Sequence, residues 1–78
     1  MAELPELRQD IDRIDAQIFR LFAERADTSE GIAAYKREHG LPVFDPTRER
    51  QKVAGASEGV PADLRTYAQV LMELLMEA

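Results

Sequence analysis

The chain has 78 residues, enough for one small domain and too few for a second. Lys and Arg number 10 against 15 Asp and Glu, and the resulting net charge of -5 argues against nucleic acid as a partner. The sequence has 0 Cys and 1 His, which excludes disulfides, thiolate metal sites and a cluster of histidine ligands. No apolar run is long enough to span a membrane and the N-terminal residues are charged, so we expect a cytoplasmic protein.

The first predicted element is a long helix over residues 5–38. Apolar residues recur at alternating intervals of three and four from Leu4 to Leu21, and the same spacing, which is a helical period, continues to Tyr35 with polar residues at positions 25 and 28. Gly31 within this stretch weakens the helix by roughly 1 kcal/mol relative to Ala but does not end so strong a pattern. Gly40 provides the stop signal, because Gly readily takes the left-handed conformation that follows a helix.

The length of this helix predicts the architecture. At about 1.5 Å per residue the helix is roughly 50 Å long, whereas a compact domain of this size is about 30 Å across. The rest of the chain cannot cover an apolar seam of that length, so a second copy of the chain is the simplest cover. We therefore expect an all-α protein with one long, one short and one medium helix, forming an intertwined homodimer.

The second predicted helix is short and polar. Asp45 is suited to its N-cap and Pro46 to its first position, and the helix is expected to end near Gly55. Such a helix is not stable alone, so contacts with other elements or with a ligand must hold it in place. The apolar residues of the linker at 40–44 suggest that the linker docks onto the helices.

The third predicted helix begins at Pro61 and carries an apolar stripe that we expect to be buried. The stripe consists of Leu64, Tyr67, Leu71, Leu74, Leu75 and Ala78. The sequence stops inside this pattern without a helix stop signal, so we expect that residues 1–78 are a single helical domain truncated within helix 3.

Arg25 departs from the apolar pattern, because it lies on the seam of the first helix. It either sets the register of a dimer by pairing with a carboxylate or binds an anionic ligand in two-point geometry. Lys36 follows three turns later on nearly the same face, and Arg8 lies on the flank of the stripe. Each of these two is, by itself, compatible with a solvated flank residue. Arg8 and Arg25 are about 25 Å apart along the helix, so they share a small ligand only if Arg8 comes from the other subunit.

Two further charged residues, Arg48 and Glu49, follow the Asp45 cap. They are compatible with an ordinary capped helix, but a helix N-terminus also favours anions, and Glu49 can accept a hydrogen bond from a hydroxyl. The sequence shows no nucleophile with a positioned base and no metal site. Several cations without a nucleophile or metal favour a polyanionic small ligand that is held by electrostatics and positioning.

Four runs of the sequence together resemble the all-α chorismate mutase family. They are LRQDIDRID at 7–15, LFAER at 21–25, AYK at 34–36 and VFDPTRER at 43–50. The chain is particularly similar to the mutase domains that precede a prephenate dehydratase in bifunctional bacterial enzymes. The resemblance implies an intertwined helical dimer that converts chorismate to prephenate by a Claisen rearrangement, without a cofactor or a covalent intermediate.

The resemblance also implies roles for individual residues. Arg25 and the partner subunit's Arg8 would bind the two carboxylates of the substrate. Lys36 would donate a hydrogen bond to the ether oxygen as negative charge develops there.

In the second helix, Arg48 would support a carboxylate and Glu49 would accept the ring hydroxyl. Asp45 would contribute through the backbone at the start of this helix. Lys36, Arg25 and Glu49 are thus the implied catalytic residues.

The chain departs from the family at its C-terminus. The family's third helix supplies a Ser that meets a carboxylate and, four residues on, a Gln that donates to the ether oxygen. An ungapped alignment places that Ser just after Ala78, so we expect weak activity from this chain alone. Two alternatives stay open: an isochorismate pyruvate lyase of the same structural family, and a non-catalytic dimerisation or regulatory domain in which Arg25 only sets register.

Overall fold

A computed structural model describes residues 2–77 of the chain. Within this range there are three α-helices and two single-turn 3-10 helices, and no strand. The α-helices are α1 (Leu4–Glu38), α2 (Pro46–Ala56) and α3 (Arg65–Glu77), and the 3-10 helices cover Ser57–Gly59 and Ala62–Leu64. The predicted all-α fold with one long and two shorter helices is confirmed.

The long helix α1 runs without interruption through Gly31 and ends at the predicted residue. Gly40 follows it with a φ of 67°, in the left-handed region. The N–H of Leu41 donates to the Lys36 carbonyl at 2.8 Å, and the N–H of Gly40 donates to the Arg37 carbonyl at 3.4 Å. These two bonds satisfy carbonyls that a helix end otherwise leaves without partners, so Gly40 ends α1 as predicted.

The contacts within the chain divide it into two units, Met1–Ala34 and Tyr35–Ala78. The first unit contains most of α1, and none of the α1 side chains is fully buried. The apolar seam is open to solvent: Ile11 is 57% exposed and Ile18 is 52% exposed.

In the second unit, α2 packs against α3. The side chain of Asp45 caps α2 by accepting a hydrogen bond from the Arg48 N–H at 3.1 Å, and Pro46 occupies the first turn. Both predictions for the start of α2 are confirmed, and the helix extends one residue past Gly55. Contact with α3 supplies the support that this polar helix needs.

The predicted start of α3 at Pro61 is wrong by four residues. Pro61 is extended, with φ -58° and ψ 157°, and its carbonyl accepts the N–H of Leu64 at 2.9 Å. This bond closes a 3-10 turn, and the α-helix begins only at Arg65.

The apolar stripe expected to be buried on α3 is largely exposed within the single chain. Tyr67 is 73% exposed and Leu71 is 53% exposed, whereas Leu75 is half-buried. Ala78, the last member of the stripe, lies outside the described residues. The half-buried residues of α3 instead form the face that includes Ala68, Gln69, Met72, Leu75 and Met76. The stripe prediction is therefore wrong for the chain by itself.

The linker between α1 and α2 does not bury its apolar side chains either. Phe44 is 65% exposed, and Leu41 and Val43 are each half exposed. The expected docking through apolar contacts is wrong, and the linker instead makes main-chain hydrogen bonds to the end of α1.

Candidate functional site

The N-terminus of α2 brings three of the predicted site residues together. Asp45 accepts the Arg48 N–H through its side chain and the Glu49 N–H through its carbonyl, each at 3.1 Å. Arg48 is exposed, and Glu49 is half-buried. The cap therefore fixes a helix end at which a cation and a carboxylate lie on consecutive residues, beside backbone N–H groups that favour anions.

Lys36 lies in the last turn of α1 and belongs to the same unit as α2. It is half-buried, and its Nζ donates a hydrogen bond to the Val43 carbonyl at 3.4 Å. An ammonium carries three donors, so this bond leaves two N–H groups for a ligand. The linker residue Val43 was not among the predicted site residues.

Arg8 and Arg25 belong to the first unit. Arg8 is exposed and Arg25 is half-buried. Seventeen residues of continuous helix place them about 25 Å apart, so within one chain they do not meet. The structure thus groups Asp45, Arg48 and Glu49 at one helix end and separates the two arginines of α1.

An open groove with a volume of about 520 Å³ lies between α2 and α3. Its charged or amide side chains are those of Glu49, Arg50, Gln69 and Glu73. The contribution of α3 to this groove was not predicted from the sequence. A signal was present in the sequence: Gln69 and Glu73 are four residues apart, and thus lie on the same face of α3.

Two hydroxyl groups donate to backbone carbonyls, and a third, Thr47 Oγ1, accepts a hydrogen bond from the Arg50 guanidinium at 3.4 Å. Thr28 Oγ1 donates to the Glu24 carbonyl at 3.0 Å, and Ser57 Oγ donates to the Ala54 carbonyl at 2.8 Å. Neither contact is a nucleophile–base pair. In residues 2–77 no group of three or more His, Asp or Glu side chains is arranged to hold a metal ion. None of the helices in this range is long and apolar enough to cross a membrane.

The structure thus defines an all-helical protein in which the site candidates are cations and carboxylates at helix ends and on helix faces. The chain belongs to the chorismate mutase type II family, whose sequence model matches residues 7–78. This match confirms the family resemblance and covers all six predicted site residues. No solved structure matches the chain.

Three curated relatives illustrate the match. The chain is 49% identical over 51 residues to a bifunctional chorismate mutase/prephenate dehydratase of Aquifex aeolicus, covering 65% of this chain and 14% of that protein. It is 33% identical over 69 residues to a T-protein of Haemophilus influenzae, covering 82% and 18% respectively. It is 42% identical over 48 residues to a chorismate mutase of Methanocaldococcus jannaschii, covering 62% and 48%. The matches thus span less than half of each relative.

Proposed function

We propose that this chain is a chorismate mutase domain that isomerises chorismate to prephenate. The observation that carries the proposal is the family match over residues 7–78. The second unit adds support, because a half-buried Lys36 and the capped Asp45–Arg48–Glu49 helix start both belong to it. These residue types suit a dicarboxylate substrate that also carries a hydroxyl group.

The proposed reaction is intramolecular. The ether C–O bond of chorismate breaks while a new C–C bond forms within the same molecule, so no nucleophile and no external proton donor are consumed. Negative charge develops on the ether oxygen in the transition state, and the Lys36 ammonium donates a hydrogen bond there. The bond strengthens as the charge grows, so Lys36 lowers the barrier more than it tightens substrate binding.

The other proposed contacts fix the reactive shape of the substrate. Arg25 binds one carboxylate through its planar guanidinium, and Arg48 supports the carboxylate end at the start of α2. Glu49 accepts a hydrogen bond from the ring hydroxyl, and the Asp45 side chain fixes the start of α2 by capping it. Holding both carboxylates reduces the entropy that the flexible substrate must lose to reach its chair-like transition state.

The proposed assembly is a homodimer in which each site takes Arg8 from the partner subunit. Two apolar surfaces support it: the seam of α1, and the exposed stripe of α3 that includes Leu71 and Leu74. Exposed apolar surface on this scale is characteristic of an interface. A second copy related by symmetry covers both surfaces. Within one chain Arg8 and Arg25 are about 25 Å apart, so the Arg8 that reaches the site comes from the second copy.

The experiment that tests the proposal is the loss of chorismate absorbance in the presence of the purified chain and a chelator. We expect the chain to consume chorismate slowly and prephenate to appear in equal amount. Isochorismate is the second substrate in the assay. Release of pyruvate from isochorismate without conversion of chorismate would replace the mutase with a lyase. Conversion of neither substrate would leave a dimerisation or regulatory domain.

A further inference from the structure

The turn after α1 makes hydrogen bonds to both the backbone and the side chain of Lys36. The Lys36 carbonyl accepts the Leu41 N–H at 2.8 Å, and the Lys36 Nζ donates to the Val43 carbonyl at 3.4 Å. A lysine side chain has high rotamer entropy, and its ammonium reaches many positions when only the backbone is fixed. The second contact restricts the ammonium itself, because it joins Nζ to a carbonyl that lies seven residues further along the chain.

The turn is built from local interactions. Gly40 takes a φ of 67°, which lets the chain reverse direction so that residue 43 lies beside residue 36. His39 donates twice to the Tyr35 carbonyl, through its backbone N–H at 3.1 Å and its Nδ1 at 2.9 Å. A carbonyl only accepts, so Nδ1 carries the proton. The His39 ring also stacks on the Tyr35 ring, with centroids 4.0 Å apart.

We propose that this turn, residues 39–43, is a positioning element for the Lys36 ammonium, with Gly40 and the Val43 carbonyl as its two essential parts. This inference rests on the proposed function, because it concerns the donor to the ether oxygen. The Val43 carbonyl occupies one N–H of the ammonium and aims the other two. Gly40 keeps that carbonyl in place because it adopts the left-handed conformation, which residues with a side chain disfavour.

The test is a graded series at Gly40. A Cβ added there meets no atom within 4 Å, so Gly40→Ala perturbs the backbone conformation without a clash between its Cβ and the rest of the chain. Gly40→Asn is the conservative variant, because Asn tolerates the left-handed region better than other non-Gly residues. Gly40→Ala is intermediate, and the β-branched Gly40→Val is the strongest perturbation. Wild type and variants are compared for kcat and KM with chorismate, normalised to folded protein.

We expect kcat to fall in the order Asn, Ala, Val, reaching about tenfold for Val, with KM within about twofold of wild type. A donor that acts mainly in the transition state changes kcat more than binding. Equal kcat values per folded molecule across the series would overturn the inference.

A stability control separates positioning from folding. Gly31 is an exposed helical residue whose added Cβ also meets nothing within 4 Å, so Gly31→Ala stabilises α1. The double variant Gly31→Ala/Gly40→Ala therefore regains stability. We expect its kcat to stay at the level of Gly40→Ala; recovery of kcat along with stability would show that the turn matters only for folding.

The two lysines of the chain, Lys36 and Lys52, provide a readout that does not depend on activity. With carbon-13 in the ε-methylene of lysine, NMR gives one signal from each. We expect Gly40→Val to shift the Lys36 signal toward that of a freely rotating side chain and to leave Lys52 unchanged. An unaltered Lys36 signal would overturn the inference. An inactive wild type whose Lys36 signal responds as expected would instead refute the proposed function and retain the turn as the anchor of the ammonium.

Discussion

Replacement of Lys36 by Met separates chemistry from folding at the proposed site. Met has an unbranched side chain of similar length to that of Lys, but it lacks the ammonium. Loss of one donor to a developing oxyanion typically costs about 2.7–4 kcal/mol of barrier, so we expect kcat to fall by about 10²–10³. KM should change much less, because the lost bond is strongest in the transition state.

The structure predicts a small effect of the same substitution on stability. Lys36 is half-buried, and its one assigned side-chain hydrogen bond, to the Val43 carbonyl, is long at 3.4 Å. Loss of such a bond destabilises a protein by about 0.5–1 kcal/mol. Urea unfolding followed by circular dichroism measures this change, and chorismate absorbance measures the rate.

Lys52 provides the matched control for this experiment. It is the other lysine of the chain, it is also half-buried, and it has no role in the proposed chemistry. Lys52→Met should leave kcat unchanged. The reasoning would be refuted by a kcat loss below tenfold in Lys36→Met, or by a similar loss in both variants.

Substitutions at three other positions test the remaining parts of the proposal. Asp45→Ala removes the cap and should lower stability by about 1 kcal/mol, seen as a fall in melting temperature of about 4–8 °C, while Asp45→Asn should retain most of the stability. Arg25→Leu should abolish chorismate binding in calorimetry while the dimer is retained in sedimentation; retained binding would assign Arg25 to packing. Ile18→Glu places a charge on the apolar seam and should dissociate the dimer in sedimentation, with loss of activity; an unchanged dimer would place the interface elsewhere.

The helix ends that the sequence predicted correctly depend on local chemistry. Gly40 ends α1 and Asp45 caps α2 through bonds that reach no further than five residues along the chain. Such signals are legible in a sequence because the donor, the acceptor and the backbone conformation all belong to one short segment. The Asp45–Arg48–Glu49 group was predictable for the same reason, although its chemical role stays a prediction.

Contacts with the main chain were not predictable in the same way. Every residue has a carbonyl, so nothing in the sequence indicates that Lys36 meets the one at Val43. The start of α3 failed for a related reason. Proline is common both at the first position of a helix and just before one, and only the extended ψ of 157° at Pro61 decides between the two.

The helix α3 has two apolar faces, and this favours contact with a second chain. Apolar periodicity indicates which residues are buried in the folded protein, but it does not indicate which element or subunit buries them. On α3 the half-buried face includes Met72 and Met76, and the exposed face, including Leu71 and Leu74, lies about a third of a turn around the helix. The short polar helix α2 packs on α3, yet the second face remains exposed. A helix that is apolar on both faces belongs between two partners, so the stripe read from the sequence corresponds to a surface that the proposed homodimer would bury.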